Sequence, residues 1–259
     1  MISKAKLKLI HSLENKKGRR ESSLFVAEGP KVVGDLLSRF PLKLIVAVDE
    51  WIQTNRHDLG DAEVIAVTDD ELRKASLLQH PQQVLALFEL PQEKAETEDA
   101  LSSVLSDDNR KLSLALDGVQ DPGNLGTIIR IADWFGIEDI FCSQTTVDAY
   151  SPKVIQATMG SIARVRVHYT DLAQLIHSLP SDYPVYGTLL DGEDIYSQEL
   201  TQGGLIVMGN EGNGISPAIR PLINHRLLIP NYPKGRETAD SLNVAIATAI
   251  TCAEFRRHT

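Results

Sequence analysis

The chain has 259 residues, 42% of them hydrophobic, with 26 Lys and Arg against 35 Asp and Glu, a formal net charge of −9 at pH 7. That is enough apolar chain to bury the core of one large domain or two smaller ones, and the acidic total excludes a protein that holds polyanions through its overall charge. The charge is polarised, however: residues 1–43 hold ten Lys and Arg and four Asp and Glu, net +6, which leaves −15 for the remainder and puts a basic end on an acidic body.

No apolar run reaches the length of a membrane span, and MISKAKLKLIHSLENKKGRRE lacks the apolar core of a signal peptide, so a cytoplasmic location is expected. Cys142 and Cys252 have no CxxC or Cys/His spacing, and the histidines are scattered. This points away from a disulfide framework or a metal site and toward two buried, small hydrophobes.

In chain order, Leu7 to Leu13 predicts a helix, Lys16-Lys17-Gly18-Arg19-Arg20 a basic turn with a glycine break, and Leu24 to Ala27 a short apolar strand. Pro30 is placed to open a helix reaching about Arg39. Leu42 to Val48, Val64 to Val67 and Val84 to Leu90 read as strands, and Asp69 to Leu77 as a helix with Asp69 at its cap. Residues 1–92 thus form a small α/β domain with no glycine-rich strand-end loop, expected to recognise substrate. The polar, acidic stretch 93–110 reads as a linker.

From residue 111 to 259 the pattern is strand and helix in alternation. Strands are expected at Leu112 to Leu116, Ile137 to Cys142, Val165 to His168, Val185 to Leu189, Leu205 to Met208 and Leu227 to Pro230. Helices are expected at Asn124 to Phe135, Ser151 to Thr158, Asp171 to Ser178, and from Ser241 onward with Ser241 or Asp240 as its N-cap. Short apolar strands separated by helices imply a parallel sheet covered on both faces, with ligands beyond the carboxyl ends of the strands.

Three polar loops follow these strand ends. The first runs from Asp117 to Arg130, with Asn124 at the helix start and Arg130 six residues on, off the Asn124 face by about 120°. The second is Gly209-Asn210-Glu211-Gly212-Asn213-Gly214, which lacks both the P-loop ending and the GxGxxG spacing. The third ends in Ser241-Leu242-Asn243. Singly, they read as a capped helix with a solvent-facing arginine, a glycine-rich turn and a helix cap.

In this order and spacing, NxGxxxR at Asn124, Gly126 and Arg130, GNEGxG from Gly209 to Gly214, and IP followed by SLNVAIA from Ser241 to Ala247 resemble the three signature motifs of the SpoU (TrmH-like) RNA ribose 2′-O-methyltransferases of the SPOUT superfamily. The resemblance covers residues 112–256. The stretch FVAEGPKVVGDLL is similar to the L30e-like substrate-binding domain that precedes the catalytic domain in rRNA-directed members. What the resemblance implies is an α/β parallel-sheet SPOUT domain with a C-terminal trefoil knot, S-adenosylmethionine as cofactor, RNA as substrate and a homodimer. Carried over, cofactor contacts fall on Gly209, Asn210, Gly214, Ile229 and Leu242. Arg130 would orient the 2′-oxygen and stabilise its developing charge, since a guanidinium is a poor literal base. Asn124, Glu211, Ser241 and Asn243 would hold Arg130 and the ribose-phosphate.

One departure from the family pattern is the stretch between Pro230 and Ser241, here longer and more charged, with Lys234 and Arg236 as candidate phosphate contacts. Lys16, Lys17, Arg19 and Arg20 are the expected RNA backbone contacts. Three alternatives stay open: the same chemistry on tRNA, a non-catalytic RNA-binding protein of ribosome assembly, and a dinucleotide-dependent oxidoreductase. The last lacks the expected GxGxxG after its first strand.

Overall fold

The computed structural model describes residues 2–91, 111–233 and 236–257; the expected linker at 93–110 and Lys234 lie outside the described residues. The chain divides into two compact units, one of residues up to 91 together with 148–164, the other of the rest. Residues 148–164, assigned from sequence to the C-terminal domain, therefore cluster with the first unit.

The first unit carries four strands, β1 (Leu24–Glu28), β2 (Leu42–Ala47), β3 (Glu63–Ala66) and β4 (Val84–Glu89), in the order β1-β4-β2-β3. β4 runs antiparallel to β1 and β2, and β2 runs parallel to β3. Ile10, Leu13, Val26, Leu44, Leu72 and Leu85 share one core. The helix Asp69–Ala75 begins one residue after its true cap: Thr68 Oγ1 accepts from the Glu71 N–H while the Glu71 carboxylate accepts from the Thr68 N–H. This reciprocal box satisfies two end amides and displaces the expected Asp69 cap. A further helix, Asp49–Asn55, has only Trp51 buried, too little periodicity to be read from sequence.

The basic stretch is a helix, Lys16–Ser22, not a turn. Gly18 serves close approach there, since a Cβ would lie 2.1 Å from the Ser12 carbonyl oxygen. Arg19 corrects a second expectation. It is 3% exposed, and its guanidinium donates to Asp148 at 2.7 Å and to the carbonyls of Leu13 and Glu14 at 2.7 and 3.0 Å. It ties the returning segment to the N-terminal helices and has no free donor face for a phosphate. Tyr150 of the same segment packs on Phe25 and Phe40, and Pro152–Thr158 forms its helix.

The second unit is built on six strands: β5 (Leu112–Leu116), β6 (Asp139–Cys142), β7 (Arg166–Tyr169), β8 (Val185–Asp194), β9 (Gly204–Met208) and β10 (His225–Leu228). Their order is β10-β8-β9-β5-β6-β7, and every pairing is parallel. All five positions of β5 and of β9 are buried, as a sheet covered on both faces requires. Ala115, Phe141 and Val207 point into a core with Leu172 and Leu175 of the helix Leu172–Ser178. On the other side the helices Pro122–Trp134 and Val244–Arg256 pack against each other.

Both cysteines are buried, and burial pushes the Cys252 thiol up to about 12 and that of Cys142 higher still, which makes them packing residues. Burial would also raise the Asp139 carboxyl, but hydrogen bonds from His168 and Arg166 outweigh it and hold the group below the usual carboxylate range. No helix among the described residues is long and apolar enough to cross a membrane.

Removing the Arg19 guanidinium strands a mostly buried Asp148 carboxylate, whose side chain is 18% exposed. Breaking such a pair costs about 3 kcal/mol. Arg19→Met is expected to lower the urea midpoint of unfolding correspondingly, and an unchanged midpoint would contradict this role.

Candidate active site

β5 lies between β9 and β6; the chain leaves β5 toward β6 on one side and leaves β9 toward β10 on the other, so the connections from these two neighbouring strands run in opposite directions. At such a switch point the loops leaving two neighbouring strands part and open a crevice at the carboxyl edge. Leu116 pairs with Met208, so the loops after β5 and β9 start side by side.

The first loop leads into the helix Pro122–Trp134, whose cap is Asp121: its Oδ1 accepts from the Asn124 N–H at 2.8 Å. Asn124, expected as the cap, is instead the third helical residue, and this releases its carboxamide. The second loop is closed by backbone bonds of 2.9 and 2.8 Å between Asn210 and Gly214. Asn210 organises it further: Oδ1 accepts from the N–H groups of Gly212 and Asn213, and Nδ2 donates to the Gly118 carbonyl at 2.7 Å. The Asn210 side chain therefore joins the two loops. Asp117, which sequence reasoning missed, adds a second link by accepting from the Ser216 N–H at 2.7 Å.

The third loop ends in Asn243, which is the N-cap of the helix Val244–Arg256; Oδ1 accepts from Ala245 N–H and Ile246 N–H. Ser241 and Asp240, the expected caps, lie outside the helix. The carboxamide of Asn243 does two jobs, since Nδ2 donates to Glu211 Oε1 at 2.8 Å and to Asn124 Oδ1 at 3.0 Å. Asn124 Nδ2 in turn donates to the same Glu211 oxygen at 2.5 Å. One residue from each loop thus meets in a closed three-way contact.

Beside it lies a cleft of about 260 Å³ bordered by Gln120, Asp121, Asn124, Asn210, Glu211 and Gly212. These residues supply carboxylates, carboxamides and backbone amides but no Cys, Ser, Lys or His nucleophile, which suits orienting a hydroxyl-bearing reactant better than covalent catalysis. Arg130 is not part of the contact. It is exposed on the same helix, about 9 Å further along the axis, and Glu211 takes its two bonds from Asn124 and Asn243 instead. Ser241 is likewise exposed.

Of the residues expected to hold a cofactor, Gly209 and Ile229 stand just past the carboxyl ends of two strands of the sheet. Gly209 follows β9, Ile229 follows β10, and Leu242 is 50% exposed. The ladder between β8 and β10 breaks after Gly187 and resumes at Glu193, which leaves Leu190 77% exposed, a feature the sequence did not disclose.

Gly209 is fixed by close packing, since a Cβ would stand 2.3 Å from the Gly214 carbonyl carbon. Backbone cannot give way as a side chain does, and overpacking of this kind costs about 1–3 kcal/mol. Gly209→Ala is expected to lower the thermal midpoint and to loosen the amides of Gly212 and Asn213 in hydrogen exchange. Wild-type protection at both amides would contradict the packing argument.

Residues 111–253 match the SpoU rRNA Methylase family, and residues 4–86 match the MRM3-like substrate binding domain. The chain is 32% identical over 255 residues to the 23S rRNA (guanosine(2553)-2′-O)-methyltransferase RlmP of Bacillus subtilis strain 168, covering 97% of this chain and 96% of that one. It is 28% identical over 225 residues to the 23S rRNA (guanosine-2′-O-)-methyltransferase RlmB of Neisseria meningitidis, covering 81% and 87%. The solved structure of an AdoMet-bound rRNA methyltransferase from Sinorhizobium meliloti superposes with a TM-score of 0.85 at 29% identity, over 100% of this chain and 96% of that one. With the three motif loops joined at one contact and both halves matched, the chain belongs to the SpoU rRNA methylase family.

Proposed function

We propose that the chain transfers the methyl group of S-adenosylmethionine to a ribose 2′-hydroxyl of RNA, with rRNA as the substrate. The observation that carries this reading is the closed contact of Asn124, Glu211 and Asn243 beside an open polar cleft. A protein that used the fold only as a scaffold would have no need to bring three loops together on one carboxylate. The names of the matched relatives and the substrate-binding match over residues 4–86 support rRNA as the substrate. Such a substrate also supports a cytoplasmic location.

S-adenosylmethionine supplies an electrophilic methyl group, so the protein's task is alignment. Holding a hydroxyl in line can lower the barrier by roughly 7–11 kcal/mol. Gly209, Ile229 and Leu242 would hold the cofactor at the strand ends. The Asn124–Glu211–Asn243 contact fixes the cleft wall against which the ribose lies, and the Glu211 carboxylate accepts from the substrate's hydroxyls. Arg130 donates toward the 2′-oxygen as negative charge develops on it. Because Arg130 has no tether to the contact among the described residues, a second copy would complete its surroundings. The exposure of Trp134 (85%) and Ile246 (53%) on the two paired helices supports the homodimer. Family membership supports the C-terminal trefoil knot, a rare exception to unknotted chains. Lys16, Lys17 and Arg20 remain exposed and are the proposed phosphate contacts, now without Arg19.

Methyl transfer to rRNA and calorimetric binding of S-adenosylmethionine test the assignment together. Loss of a donor to a developing oxyanion slows reactions by roughly 10²–10³, so Arg130→Ala should slow transfer by about that factor while cofactor affinity stays at the wild-type value. Near-normal transfer by Arg130→Ala, or loss of cofactor binding as complete as the loss of activity, would overturn the role given to Arg130.

A further inference from the structure

We infer that Tyr232 is a stacking platform for a nucleobase of the RNA substrate, at the edge of the methyl-transfer site. The inference rests on the RNA methyltransferase reading above. Tyr232 is 90% exposed, more than the other exposed large hydrophobics among the described residues, Trp134 included. It lies in the stretch between β10 and the last helix.

Both ends of that stretch are anchored at the site. It leaves the carboxyl end of β10 through Ile229 and ends at Asn243, which bonds Asn124 and Glu211. Within it, Asn231 Nδ2 donates to the Arg236 carbonyl at 3.0 Å and to Thr238 Oγ1 at 3.2 Å, and the Arg236 N–H donates to the Pro233 carbonyl at 3.1 Å. The residues on either side of Tyr232, Asn231 and Pro233, are thus each tied by a hydrogen bond to Arg236. The ring itself has only two side-chain torsions to order, which keeps the entropic cost of contact low.

The chemistry of the loop favours stacking over phosphate binding. From Asn231 to Asp240 its charges are Lys234, Arg236, Glu237 and Asp240, formally neutral, so it is no electrostatic track for an RNA backbone. What it does present to solvent is an aromatic face. Every nucleobase has a complementary π-face, and stacking on an aromatic side chain strengthens single-strand binding by roughly 5-fold to 100-fold per base.

Steady-state methyl transfer to an rRNA fragment by wild type, Tyr232→Ala and Tyr232→Phe tests this. Tyr232→Ala should raise the KM for RNA about fivefold or more while kcat at saturating RNA and the affinity for S-adenosylmethionine stay unchanged. Tyr232→Phe, which keeps the ring, should retain the wild-type KM. An unchanged KM in Tyr232→Ala overturns the inference, and so does a Phe variant as impaired as Ala, which would assign the effect to the hydroxyl. A Tyr232→Ala variant that changes cofactor affinity or oligomeric state also overturns it, by placing the residue against cofactor or a second copy. Failure of the wild type to methylate RNA overturns the functional reading and this assignment with it, whereas an active protein indifferent to Tyr232→Ala overturns this assignment alone.

Discussion

The Glu211 carboxylate accepts hydrogen bonds from Asn124 and Asn243 on a single oxygen, while the two asparagines bond each other. Charge-assisted bonds of this type are about twice as strong as neutral ones, and here they join positions 124, 211 and 243. Each partner is itself fixed locally. Asn124 is held by the Asp121 cap, Glu211 by a loop that Asn210 closes, and Asn243 by its own capping of the last helix. The arrangement therefore pre-orders a cleft wall, the kind of fixed surface that catalysis by alignment uses.

The sheet makes this convergence available. Because β5 and β9 are neighbours in parallel register, the loops that follow them leave the same edge side by side. The last helix packs on the helix that follows the first loop, which delivers Asn243 to the same edge. The register that pairs Leu116 with Met208 sets where the two loops start.

How much of this was legible in the sequence depended on how local the determining interactions are. All six strands of the catalytic unit were readable because short apolar runs end in polar, glycine-bearing loops, and β5 and β9 are buried at every position. The motif residues were readable as a set, and the structure brings Asn124, Glu211 and Asn243 together. What escaped were facts decided by distant partners. Ser241 and Asn243 are both good caps by propensity, and only the reach of the Asn243 carboxamide to Asn124 and Glu211 separates them. Arg19 looks like its basic neighbours until Asp148, 129 residues away, buries it. The return of residues 148–164 to the first unit follows from the same pairing and from the packing of Tyr150 on Phe25, neither of which leaves a periodic trace in the sequence.

A double-mutant cycle on Asn124 and Asn243 tests most directly whether the three loops act as one unit. Methyl-transfer rates would be measured for Asn124→Ala, Asn243→Ala and the double variant, with each variant's unfolding midpoint as a control for lost helix capping. Residues in one hydrogen-bonded network couple by about 0.5–3 kcal/mol, so the double variant is expected to be little slower than the worse single one. Losses that simply add, as for independent sites, would contradict the claim that Glu211 binds these loops into a single catalytic wall.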